Sequence, residues 1–415
     1  MKKLLLTLGL AAVFGLAQAQ SVTTSGIAEN GPTPKDGTTK LTAYGVIDIG
    51  YLGTNYQGVG SNPRASQQTS QIGNNLETPS RLGLRGTEQL GGGTSAFFVV
   101  EAGMNPANST LSSFNNRQTF VGVKQQGLGE FAFGTQQTPI FNAVFVTDPG
   151  RTNGMIGDVI SATTPQLNGN SGGGAFATGT SSGNTSDAFT IRTSNQFSVT
   201  SDRFAGFQAT GMYTLNNTTN TSTGNNFSGT NNFSGWGLGA NYVWKDLYVT
   251  AAYQALRSEV VGTLTTPTTL VNPTPALWSG SSGGVNTQDN QSYVAATYDF
   301  GIMKGYAQWI NRKATSTLNS NYFGQRTAQQ VGVRGYFTPV VEGWASVGNG
   351  RVDGWGPTTP TANFIGYQLG ANYYLSKRTN LYAIYGQNNT SSTGGINGTP
   401  SLSASSYGVG VRTYF

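Results

Sequence analysis

The chain contains neither cysteine nor histidine in its 415 residues. Without thiols there can be no disulfide, no thiolate metal ligand and no cysteine nucleophile. Without imidazole there is no Ser-His-Asp triad, no histidine-ligated zinc, and no side chain whose ordinary pKa lies near neutrality. Charge is scarce too, at 10% of residues, and Asn, Thr, Ser, Gln and Gly take its place, notably over 215–235 and 386–402. The acidic residues are spread singly, so no local motif offers a carboxylate pair or Ser-Lys chemistry. The reading is of a chain that is not an enzyme and holds no metal or cofactor. Beyond the first twenty residues or so, no apolar run is long enough to cross a membrane as a helix.

What is present begins with Lys2 and Lys3, an apolar run from Leu4 to Leu16, and Ala17-Gln18-Ala19, the small-x-small pattern that signal peptidase cuts. Residues 1–19 therefore read as a secretory signal. Its removal takes two lysines from the 23 basic residues and leaves 21 against 17 acidic ones, an excess of +4. That bias is too mild for a nucleic-acid partner. Residues 20–40 are polar and rich in Gly, Pro and Thr, and read as disordered or as a short periplasmic tail.

The remainder, 41–415, alternates. In the closing segment Tyr407, Val409, Val411 and Phe415 fall on one face of an extended strand, while Gly408, Gly410 and Arg412 fall on the other. A soluble sandwich strand can look the same. An exported chain without a helical span, however, can cross a membrane only as a closed barrel, and segments of about ten alternating residues recur throughout. They are joined by short turns on one side and long polar loops on the other, as outer-membrane barrels require.

Parity assigns the faces. Over 42–54, Leu41, Ala43, Ile47 and Ile49 oppose Thr42, Tyr44 and Asp48, and the face holding Asp48 must be the lumen. Over 80–90, Leu82 and Leu84 oppose Arg81, Gly83 and Arg85; over 95–103, Ala96, Phe98 and Val100 oppose Phe97, Val99 and Glu101. The hairpin of 115–124 with 130–136 puts Phe120, Phe131 and Phe133 toward lipid and Arg117 inward. A segment of nearly fifty residues follows, 138–186, too long for a turn. Further strands are read at 189–200, 206–216, 235–244, 246–256, 291–300, 304–313, 327–337, 341–351, 364–375, 380–388 and 403–415. The expected fold class is all-β, a transmembrane antiparallel barrel of about sixteen strands, wide enough to enclose water. Phe204, Phe207, Trp244, Phe300, Tyr336, Phe337, Tyr373 and Tyr374 lie beside the short turns and form an expected periplasmic aromatic girdle.

Several ordered pieces resemble the Gram-negative trimeric porins of the β-proteobacterial general diffusion type. They are Leu41-Thr42-Ala43-Tyr44-Gly45-Val46-Ile47-Asp48; Ser80 through Gly93; Phe98 through Glu101; Asn116-Arg117-Gln118-Thr119-Phe120-Val121-Gly122; Phe133-Gly134-Thr135-Gln136 with Thr138-Pro139; and Tyr407 through Arg412. The resemblance runs from about 40 to 415. Three features depart from it: the inserted 20–40 segment, Gly134-Thr135-Gln136 where the family has Gly-Arg-Gln, and loops poorer in charge.

The resemblance implies a homotrimer in outer-membrane lipid and lipopolysaccharide, delivered by the outer-membrane assembly machinery, with the C-terminal Tyr407, Val409, Val411 and Phe415 as closure and assembly signal. It also implies a third external loop folded into the lumen, its carboxylates facing a ladder of wall arginines. In this sequence the loop charges are Asp148, Arg151 and Asp158, and the wall is Arg81, Arg85 and Arg117 with Glu101 and Asp48. The three arginines share the inward parity by sequence alone, and structural pairing with Glu88, Glu101 or Asp48 is the alternative role. Arg192, Arg334 and Arg412 have inward parity as well. The expected function is passive diffusion of ions and small hydrophilic solutes with mild anion preference. A channel selective for one nutrient and a surface adhesive β-protein are the rival readings.

Overall fold

The computed structural model describes residues 21–22, 39–57, 66–107, 115–160, 191–221, 228–262, 287–317, 320–321, 323–355, 362–391 and 401–415. They form a closed 16-strand antiparallel barrel. β1 is Thr39–Gln57, and β2 comes in two pieces, Ser66–Asn74 and Arg81–Gly91. β3 (Thr94–Gly103), β4 (Asn115–Gln125), β5 (Gly129–Gln137), β6 (Arg192–Ser201), β7 (Phe207–Thr221) and β8 (Ser228–Trp244) follow. The far half is β9 (Leu247–Gly262), β10 (Thr287–Asp299), β11 (Met303–Ser316), β12 (Phe323–Thr338), β13 (Val341–Trp355), β14 (Ala362–Tyr374), β15 (Thr379–Thr390) and β16 (Leu402–Tyr414). Each strand pairs with the next, and β16 closes the cylinder on β1 from Ser403 opposite Gln57 to Tyr414 opposite Val46.

The alternation forces this outcome: a strand with apolar side chains on one face and polar ones on the other is stable only between lipid and water. Leu82, Leu84, Phe98, Val100, Phe131 and Phe133 stand exposed on the outer surface, while Asp48, Gln254, Gln291 and Gln368 are wholly buried on the inner one. A bare apolar exterior and a polar interior invert the soluble pattern.

Three aromatic assignments are corrected. Glu101 pairs with Gln118 and Ala102 with Asn116, so Arg117 is an extra residue in β4. This β-bulge breaks the period of two, and Arg117 and Phe120 both face inward: Phe120 sits opposite the inward Val99, and its ring meets that of Phe97 at 6.3 Å. Tyr336 and Tyr374 belong to the inner rim, their rings 6.2 Å apart and the Tyr374 hydroxyl donating to Glu342. The first piece of β2 also escaped the sequence reading, because Ser66-Gln67-Gln68-Thr69-Ser70-Gln71 carries no apolar alternation.

The expected signal segment and most of 20–40 lie outside the described residues. Ser21 and Val22 are described, and they pair with Thr42 and Leu41 along the edge of β1.

Inside the barrel a helix, α1 (Pro139–Thr147), leaves the end of β5. Thr138 caps it by accepting from the Phe141 N–H at 3.4 Å, and Pro139 takes the first turn, where no N–H is needed. Ile140, Ala143 and Val144 pack with Tyr293, Ile310 and Phe364 of the wall. The chain then crosses the lumen, and Met155 joins Leu76, Trp344, Tyr382 and Ile384 in a second cluster. Gly386 permits the crossing, because a Cβ there would lie 1.7 Å from the Ile156 carbonyl oxygen. Residues 161–190, the rest of the expected loop, are outside the described residues.

Candidate functional site

On the wall of β2 to β6, inward positions in adjacent rows gather charge. Glu101 on β3 pairs with Arg117 at 2.7 Å and with Arg81 at 3.3 Å, and accepts from the Tyr44 hydroxyl at 3.2 Å. Arg85 lies over the Tyr44 ring at 5.6 Å. Arg192, on neighbouring β6, stacks on Phe141 of α1 at 4.7 Å. Among the described residues its buried Nε has no hydrogen-bond partner. Arg81 and Arg117 keep 16% and 17% of their side-chain surface, so these cations are in reach of lumen water. The structure thus brings together Arg81, Arg85, Arg117 and Glu101, and adds Arg192 from beyond the long loop.

The loop buries two of its three charges and exposes the third. Asp148 and Asp158 are each 1% exposed. Asp148 accepts from the Thr152 N–H and from Gln330 on β12 at 3.4 Å, and Asp158 accepts from the Ile160 N–H at 2.7 Å. Burial, and next the adjacent Asp158 carboxylate, hold the Asp148 carboxyl well above the usual carboxylate range. Arg151 is the loop charge left in the open, half exposed and 3.6 Å from Glu342.

Asp48 is wholly buried, although its parity is inward. It accepts from the N–H groups of Glu77 and Thr78 at 2.8 and 2.6 Å and from the Tyr382 hydroxyl, and so pins residues 75–80, where β2 breaks and folds over it. Its carboxylate is spent on those donors and does not reach the lumen. Arg412 likewise pairs with Glu77 at 3.1 Å and Arg334 with Glu342 at 2.6 Å; both cations are nearly buried. At the seam, Tyr407 and Phe415 cover Gly53 and Gly45 of β1, and Val409 and Val411 are exposed beside them.

Sequence reasoning gave Tyr44 and Arg192 too little weight and passed over Glu342. Inward parity was the available signal for Tyr44 and Arg192, but strand adjacency across a fifty-residue loop is not written in the sequence.

These features define a water-lined transmembrane barrel narrowed by an internal loop. The Gram-negative porin family model matches residues 7–393, and the chain belongs to that family. An outer membrane porin protein of Bordetella pertussis is 35% identical over 147 residues, 33% of this chain and 34% of that protein. Outer membrane porin protein 32 of Delftia acidovorans is 29% identical over 139 residues, 34% of this chain and 33% of that protein. The chain therefore spans about a third of the length of the curated relatives it matches. In fold it is similar to an anion-selective porin from Comamonas acidovorans, with a TM-score of 0.62 at 20% identity, over 91% of this chain and all of that one. The family and the lipid-facing exterior place the protein in the outer membrane as an integral barrel.

Proposed function

We propose that the protein is a diffusion pore for ions and small hydrophilic solutes, with a preference for anions. One observation carries the preference: among the described residues Arg81 and Arg117 share the one carboxylate of Glu101, Arg85 and Arg192 stand on the same wall without one, and the loop buries Asp148 and Asp158 while leaving Arg151 open. Fixed positive charge at a narrow place with low-dielectric walls raises the local anion concentration without binding tightly. In this reading Arg81, Arg85, Arg117 and Glu101 are the constriction wall, 138–186 is the constriction loop, and Asp48 is a structural support.

The signal over 1–19, the extension over 20–40 and the barrel domain over 41–415 complete the proposal, together with a homotrimeric assembly in lipid and lipopolysaccharide. Tyr407, Val409, Val411 and Phe415 form the segment presented to the assembly machinery. Two measurements test it. Planar-bilayer recording in a salt gradient should give stepwise, long-lived openings and a reversal potential of anion-selective sign; the cation-selective sign refutes the preference, and no openings refute the pore. Unheated gel migration at monomer size alone refutes the trimer.

A further inference from the structure

The bulge at Arg117 has a second effect: it turns an aromatic ring into a polar lumen. Arg85 pairs with Val99, and Val99 with Phe120, so the three stand in one row across β2, β3 and β4 on the inward face. Two residues nearer the periplasm on β3, Phe97 lies across Gly122, where a Cβ would come within 2.5 Å of its ring. Phe97 and Phe120 meet edge to face, 6.3 Å apart with an interplanar angle of 80°. Both rings are only half-buried, whereas Val99 is covered. The result is an apolar shelf directly below the row of Glu101 and Arg117.

At the other end of the row stands Arg85. Among the described residues it stacks on Tyr44 and pairs with no carboxylate, unlike Arg81 and Arg117, which share Glu101. Two strand spacings separate Arg85 from Phe120, roughly 10 Å between Cα atoms. A cation and an apolar shelf in neighbouring positions on one face of the wall match a small solute with a carboxylate at one end and a flat ring at the other. The carboxylate meets a guanidinium that has charge to spare, and the ring lies against the faces and edges of two phenylalanines.

We propose that Arg85, Phe97 and Phe120 form a subsite in the pore for small aromatic carboxylates. The inference rests on the anion-pore reading and names the solute class that this wall retains longest. Residence there is brief, as conduction requires, and shows as interruptions of the chloride current.

The test compares benzoate with acetate as blockers of chloride current through the full-length protein in planar bilayers. Benzoate is expected to halve the current at a concentration roughly three- to tenfold below acetate, the range that an aromatic contact supplies. Phe120→Leu and Phe97→Leu, which keep apolar bulk but remove the ring, should bring that ratio toward one, and Arg85→Gln should weaken block by both anions. Equal block by benzoate and acetate in the native protein, or a ratio unmoved by both leucine variants, overturns the subsite while the chloride-selective pore stands. Cation-selective reversal in plain salt overturns the subsite and the pore reading together.

Discussion

Arg334 holds Glu342 through two parallel bonds, Nε to Oε1 at 2.7 Å and Nη2 to Oε2 at 2.6 Å, and with its remaining Nη1 it donates to the Pro149 carbonyl at 2.7 Å. One guanidinium therefore ties a wall carboxylate to the backbone of the lumen loop. Both side chains are almost fully buried, so truncating one strands the other's charge. Glu342→Ala should destabilise the barrel by about 3–5 kcal/mol. It should also raise current noise by freeing the loop. Unchanged heat-modifiable gel mobility and unchanged noise together would show that the loop is held elsewhere.

The buried Asp148 carboxyl gives the loop a pH dependence of definite sign. Its affinity for protons is higher in the folded state than in the unfolded chain, because burial and the Asp158 carboxylate disfavour its charge. The fold is therefore undisturbed by this group below the ordinary aspartate range, about pH 4, and loses stability as pH rises from there through the raised value. Asp148→Asn should match the native protein at acid pH and exceed it in melting temperature at neutral and alkaline pH. A difference between the two that is flat with pH would sink this account.

Two aspartate and arginine substitutions separate pore charge from support. Arg117→Gln should move the reversal potential toward cations, since Arg117 keeps 17% of its side chain exposed beside Glu101. Asp48→Asn should leave the reversal potential in place, because its bonds to Glu77, Thr78 and Tyr382 are internal. A reversal shift in Asp48→Asn as large as that of Arg117→Gln would return Asp48 to the pore wall.

Closure of the barrel depends on a small residue beneath a ring. A Cβ on Gly45 would lie 2.2 Å from Phe415 Cζ, and the backbones of the two residues exchange hydrogen bonds of 3.1 and 3.2 Å. Gly45→Leu should displace the ring and lower the yield of folded, heat-modifiable protein. Equal yields for Gly45→Leu and the native chain would refute the closure argument.

Which side chains look inward was legible wherever the strand stayed regular. Arg81, Arg85 and Glu101 fell on the lumen face as their parity required, and so did the lipid face of Leu82, Leu84 and Phe98. Phe120 was not legible, because a one-residue bulge is invisible to a period-two count yet reverses every side chain on one side of it. α1 was missed for another reason. Its residues Ile140 to Val146 are apolar on nearly every side, and such a run has no helical stripe to detect.

The sequence by itself determined the class: alternation of apolar and polar side chains in repeated segments of about ten residues, with little charge, leaves few folds besides a water-filled barrel in a membrane. These are properties of each strand separately, and each strand carries them in its own ten residues. Only the tertiary structure decided where charge is presented and where it is hidden. Asp148 and Arg151 are three positions apart, yet one is buried and the other open. Arg117 and Arg192 are far apart in the chain, yet they stand on the same wall because β5 alone separates their strands. Burial and adjacency arise from closing the sheet on itself and laying a loop across its interior, which no local pattern encodes.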